Sequence, residues 1–358
     1  MKRQLLGVAA FMLALSAHAQ DNPLWMRYCA ISPDGTSIAF TYKGDIYTVP
    51  VNGGKAAQIT TNAAHDTHPV WSPDGKQIAF ASDRMGSMDI FVVDREGGIP
   101  KRLTTHSGNE TPVAFKDADH ILFLANVMPS AEDAQFPSGQ FQQVYEVSTT
   151  GDRPVMFSSM PMEDISINKT GNALLYHDKK GYEDPWRKHH TSSITRDIWL
   201  CSLDGKRSYR KLTSFNGEDR TPVWASDGKS FYYLSEEKGS FNVFKRALDG
   251  TSSTQLTHHT KHPVRFLTAA DNGTLCYGYD GEIYTMKEGT EPRKVQISIL
   301  TDKNDKDLIR QIRRNGATEI ALSPDAKEVA FILRGDVYVT SVEYKTTKQI
   351  TNTPEQER

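Results

Sequence analysis

Apolar runs of four to six residues, separated by short polar turns, recur along most of this chain. In residues 70–82, VWSPDGKQIAFAS, two such runs flank the turn Ser72-Pro73-Asp74-Gly75. Residues 30–42, AISPDGTSIAFTY, repeat the arrangement with a spacing of 40 residues between Asp34 and Asp74. Altered copies of the turn stand at Asn168–Gly171, Ala225–Gly228, Ala270–Gly273 and Ser323–Ala326, and a degenerate one at Lys116–Asp119, so that seven modules can be traced. Each carries four apolar segments in one order. The first precedes the turn (HPVWS, TPVAF, EDISI, TPVWA) and the second follows it (QIAFAS, HILFLA, SFYYLS, EVAFIL). A third opens on a polar residue (DIYTV, DIFVV, DIWLC, DVYVT), and a fourth ends in a Leu/Ile-Thr pair (AQIT, KRLT, RKLT, TQLT, KQIT).

Runs this short, rich in Val, Ile, Phe, Tyr and Thr and bounded by Gly, Pro and Asp, predict strands. Pro presets the turn, Asp tolerates the conformation beside it, and Gly supplies the left-handed residue that closes the hairpin. The second segment is apolar on both faces, so each four-stranded module must be packed between two others, as the blade of a β-propeller is. The predicted fold is all-β: a six-bladed β-propeller of four-stranded antiparallel blades over residues 20–297, followed over 317–358 by the first blade of a second propeller. Residues 298–316, charged and without strand pattern, read as a linker. The terminal ITNTPEQER copies the polar link that elsewhere leads into the next module, and the chain is therefore expected to be truncated within that second propeller.

Residues 1–19 stand apart. Lys2 and Arg3 precede an apolar run from Leu5 to Leu15, and Ala17-His18-Ala19 offers a signal-peptidase site. The run is too short for a membrane anchor, which needs about 20 apolar residues. The mature chain is thus expected outside the cytoplasm, in the periplasm of a Gram-negative source, with no membrane span after cleavage. Charge is nearly balanced, 42 basic against 44 acidic side chains among 358 residues, which argues against nucleic acid as partner. Cys29, Cys201 and Cys276 are odd in number and far apart in apolar runs, and read as core residues rather than as a disulfide framework or metal site.

No constellation for catalysis stands out: there is no G-x-S-x-G, H-E-x-x-H or P-loop. Ser226-Asp227-Gly228-Lys229 matches S-x-x-K but occupies the repeated turn. The histidines at 189, 190, 258, 259 and 262 read as surface groups. The aspartates that open third strands (Asp45, Asp89, Asp197, Asp336) read as local hydrogen-bonding groups and not as repeated calcium sites. Phe157, Met160 and Met162 read as core. The chain is expected to hold no catalytic residue, metal or cofactor of its own. The patch of most interest lies in the long insert of the fourth module, GYEDPWRKHHTSSITR, where Trp186, Arg187, Lys188, His189 and His190 combine a flat apolar surface with cations suited to a peptide or its carboxylate.

The array of WSPDGKQIAFASDR, DIFVVD and KRLT segments resembles the propeller repeats of TolB, of prolyl-oligopeptidase-type peptidases and of tricorn proteases. The insert GYEDPWRKHHTSSITRDIWL, the six-module unit followed by RQIRRNGATEIALSPDAKEVAFILRGDVYV, and the start of a second propeller favour the tricorn family. That resemblance implies a secreted serine peptidase whose two propellers precede a PDZ module and catalytic domains in a C-terminal half. It implies that this region gates or guides peptides or unfolded protein substrates and performs no hydrolysis, and it admits a homo-oligomer. A TolB-like protein-binding module, or the propeller of a prolyl-oligopeptidase-type enzyme, remain the competing readings.

Overall fold

A computed structural model of the chain describes residues 23–126, 141–182, 194–300 and 313–351, together with 353 and 355–357. Among them no helix occurs, and the strands form seven four-stranded antiparallel sheets in strict chain order. Blade 1 comprises strands Arg27–Ile31, Ser37–Tyr42, Asp45–Pro50 and Ala57–Gln58. Blade 2 comprises Asp66–Trp71, Gln77–Ser82, Asp89–Asp94 and Lys101–Arg102. The inner strands of blades 3 to 6 are Glu110–Phe115, Met162–Ile167, Asp219–Trp224 and Arg265–Ala269. Each inner strand packs against the next, and that of blade 6 returns to that of blade 1. The cycle makes the six sheets a β-propeller whose axis is lined by first strands.

The second strands carry the core. Ile38, Ala39 and Phe40 in blade 1 and Ile78, Ala79 and Phe80 in blade 2 are all fully buried. Because successive side chains of a strand face opposite ways, such a run is stable only with a neighbouring sheet on each side. The seventh sheet, beginning at Ala317–Leu322, has its first strand exposed throughout, with Ile320 and Leu322 open to solvent.

The repeated motifs now acquire physical reasons. The tryptophans that end two inner strands join blades: Trp71 Nε1 donates to the Ala30 carbonyl at 2.9 Å and Trp224 Nε1 to the Ser166 carbonyl at 3.0 Å. The Thr of the Leu/Ile-Thr pair accepts a bond from a third-strand N–H that the fourth strand leaves open: Ile46 to Thr60, Ile90 to Thr104, Ile198 to Thr213 and Val243 to Thr257, each at 2.9 Å. Two residues before that Thr lies the partner of the aspartate opening the third strand. Gln58 donates to Asp45 at 3.0 Å, Arg102 pairs with Asp89 at 2.7 Å and Lys211 with Asp197 at 2.8 Å. These aspartates are cross-strand links.

In the turns the aspartate carboxylate does more than tolerate a conformation. Asp74 accepts from Ser72 Oγ at 2.7 Å and from the Lys76 N–H at 3.0 Å, and the bonds hold its pKa below the ordinary range. Ser226-Asp227-Gly228-Lys229 is such a turn, with Asp227 accepting from the Lys229 N–H at 2.8 Å. Gly35 closes the first turn at φ 72°, and a Cβ there would lie 2.3 Å from Asn272 Nδ2 of blade 6. Gly35→Ala is therefore expected to destabilise by about 1–2 kcal/mol, since strain and a close contact act together. A urea midpoint equal to that of the parent would show that the blade 1 and blade 6 turns do not meet.

Among the described residues, the seam between first and last blades carries no exchanged strand. It is closed by apolar packing of Met26, Cys29, Ile31, Cys276, Ile283 and Ile297 in one cluster, and by parallel pairing of Ile297–Ser298 with Gly54–Lys55. This pairing has no counterpart in the repeated pattern. All three cysteines are buried and free, as core residues should be. Remote in sequence, Cys29 and Cys276 nonetheless meet at the seam, where burial and then the neighbouring Cys29 thiol push the Cys276 thiol up.

Candidate functional site: the axial constriction

All six inner strands carry a β-bulge near the start, visible as a register shift against the second strand. At five of the six the bulged residue is left-handed and is not glycine: Tyr28 (φ 52°), His68 (φ 55°), Asp164 (φ 49°), Thr221 (φ 51°) and Phe266 (φ 57°). Blade 3 is the exception because Pro112 occupies the position, and its ring locks φ near −65°. The alignment follows from the backbone. Glu110 N–H bonds to the carbonyl of Met88, just as Asp66 N–H bonds to Gly44 and Asp219 N–H to Arg196. TPVAF is therefore shifted by one residue relative to HPVWS, a displacement that the shared Pro-Val conceals.

The bulge residues sit at one level of the axis and touch across blades. The Tyr28 ring lies 3.7 Å from His68 and 4.9 Å from Phe266, centre to centre, so that blades 6, 1 and 2 present a continuous aromatic wall. Opposite, Thr221 Oγ1 donates to Asp164 Oδ2 at 2.6 Å, a polar wall from blades 4 and 5. Burial pushes the pKa of His68 down to about 4 despite the pull of the Asp164 carboxylate, which keeps the imidazole neutral. At this level the inner strands thus present aromatic side chains from blades 6, 1 and 2 and polar ones from blades 4 and 5.

Behind the polar wall stands a buried ionic network. His177 Nδ1 accepts from the Thr221 N–H at 3.3 Å, which leaves Nε2 to donate to Glu163 at 3.2 Å. Glu163 also takes Lys179 at 2.7 Å and Arg196 at 3.4 Å. Burial alone would raise the Glu163 pKa, but the His177 bond and these cations hold it well below the usual carboxylate range. Arg196 in turn pairs with Glu218, which is fully buried.

Two other acids at this end behave oppositely. Burial raises Glu110 to about 7 and Asp219 to about 7, against hydrogen bonds from Thr104 and from Ser235 and Thr213 respectively. A carboxyl whose pKa is higher folded than unfolded holds its proton in the native state, so its contribution is complete below about pH 4 and is lost as pH rises through 7. Stability is expected to fall between about pH 4 and 7, and Asp219→Asn to remove on the order of 2 kcal/mol of that fall. Thermal melts of both proteins across that range check the slope; identical slopes would contradict it.

At the opposite mouth the turns converge. Pro33, Asp34, Pro73, Asp74, Asp271 and Asn272 line a cavity of about 390 Å³, and Lys169 of blade 4 reaches Asp271 of blade 6 at 3.0 Å. Of the residues expected to bind peptide, Trp186, Arg187, Lys188, His189 and His190 lie outside the described residues; Tyr182, before the insert, is exposed. His259 is no bare surface group: it stacks on Tyr279 at 3.8 Å and its Nε2 lies 3.0 Å from the Tyr277 hydroxyl. Met162 is core and Phe157 packs against it, whereas Met160 is at the edge. The constriction itself has no common residue type. Its sequence signal is positional, four residues before the first residue of each turn.

Comparison with known proteins agrees with this architecture. The family described as the tricorn protease N-terminal beta propeller domain matches residues 23–292. Tricorn protease homolog 1 of Streptomyces coelicolor is 25% identical over 279 residues, covering 77% of this chain and 25% of its own length. The tricorn protease of Thermoplasma acidophilum is 25% identical over 332 residues, covering 89% of this chain and 29% of its own. The crystal structure of the tricorn protease superposes with a TM-score of 0.67 at 20% identity, over 92% of this chain and 32% of that one. This chain therefore spans between a quarter and a third of the length of these relatives.

Proposed function

Since the chain belongs to the family of the tricorn protease N-terminal beta propeller domain, we propose that it serves a periplasmic serine peptidase as a non-catalytic region that guides peptides along the propeller axis. The catalytic machinery and a PDZ module would belong to other parts of a longer protein. One observation carries the reading: six inner strands close a cycle around an axis, and side chains held in strained backbone conformations meet across neighbouring blades at one level. Left-handed non-glycine residues cost about 1–3 kcal/mol each and cluster at clamps and switches. Glycine would give the same bulges without strain, so the retained Tyr, His, Asp, Thr and Phe point to a role for the side chains. Trp186, Arg187, Lys188, His189 and His190, in the insert of blade 4, are the proposed outer contacts for peptide.

The test is direct. The purified chain should retain short peptides in equilibrium dialysis and return them intact by mass spectrometry. Failure to retain any peptide removes the guiding role, and cleavage that co-purifies with the folded chain removes the non-catalytic one.

A further inference from the structure

We propose that the constriction recognises a primary ammonium group, the free amino end of a peptide, through the Asp164 carboxylate; the inference rests on the guiding role above and specifies what the axis reads. The polar wall carries a carboxylate that solvent reaches. Asp164 is 46% exposed, and its described polar contacts are the Thr221 hydroxyl at 2.6 Å and His177 Nδ1 at 3.6 Å. His177 Nδ1 is engaged by the Thr221 N–H at 3.3 Å rather than by Asp164. The basic groups nearby are taken by other acids: Lys179 by Glu163, Arg196 by Glu163 and Glu218. Among the described residues no lysine or arginine lies within ion-pair distance of Asp164. The Thr221 hydroxyl therefore fixes the orientation of Asp164, while the neighbouring lysine and arginine are engaged elsewhere.

The facing wall suits the rest of such a ligand. The Tyr28 ring offers an aromatic surface against which an apolar first side chain can pack. A carboxylate end entering first would meet Asp164 as a like charge. The arrangement thus selects orientation: amino end leading, apolar or aromatic first residue.

The experiment uses fluorescence anisotropy of the full chain with a lysine-free apolar pentapeptide labelled at its C-terminus, with its amino end either free or acetylated. The free peptide should bind at least tenfold more tightly. Asp164→Asn, which keeps a hydrogen-bond acceptor for Thr221, should lower the affinity of the free peptide about tenfold and leave the acetylated one unchanged. Tyr28→Leu should weaken both and preserve their ratio. Equal binding of the two peptides by the wild type, or an undiminished preference in a folded Asp164→Asn, overturns ammonium recognition while the guiding role stands; absence of binding by either peptide overturns both. The wild-type comparison decides even if a variant fails to fold.

Discussion

Replacing Trp71 by alanine is expected to lower stability by about 3–5 kcal/mol, the range for a large aromatic removed from a packed interior. The indole lies at the junction of blades 1 and 2, among Ile46, Ile78, Phe80 and Phe91, and is 7% exposed. It fills the taper between two sheets and bonds the carbonyl of Ala30 on the neighbouring inner strand. Trp71→Phe should restore much of the packing and leave a loss of about 1–2 kcal/mol for the missing bond. Urea denaturation of both variants separates the two contributions. Equal losses would assign everything to the bond, and a loss below about 1 kcal/mol in the alanine variant would show that blades 1 and 2 are not stacked as described.

A second large effect is expected at Arg196. Its guanidinium is almost fully buried between Glu163 and Glu218, and Glu218 is sealed from solvent. Arg196→Met leaves a buried carboxylate short of its counter-charge, a change that typically costs about 3–5 kcal/mol. Arg220, 3.8 Å from Glu218, compensates only in part. The double variant Arg196→Met, Glu218→Gln should recover most of the loss, because uncharged groups of similar size no longer require a partner. If the double variant is no more stable than the single one, the ion pair is not the source of the effect.

The blades were legible in the sequence because their physics is local. Ser72-Pro73-Asp74-Gly75 closes a hairpin by its own backbone and side-chain bonds, and Ile78-Ala79-Phe80 declares by its composition that both faces are covered. The constriction was not legible, since left-handed bulges follow from the register between strands and accept Tyr, His, Asp, Thr or Phe alike. Nor was the seam: nothing in Gly54-Lys55 or Ile297-Ser298 announces a parallel pairing across the whole propeller. The shift of TPVAF against HPVWS shows how a shared dipeptide can mislead; Pro112 takes the place that His68 holds, and blade 3 is the one blade that cannot bulge to the left. Asp164 and Thr221 likewise acquire meaning only through the neighbouring blade.

The measurement that bears most directly on this account is a crystal structure of the chain at a resolution that shows side chains. It should show six four-stranded sheets around one axis, with Tyr28, His68, Asp164, Thr221 and Phe266 at positive φ and their side chains meeting there. Extended backbone at those five residues, or an axis clear of their side chains, would contradict it.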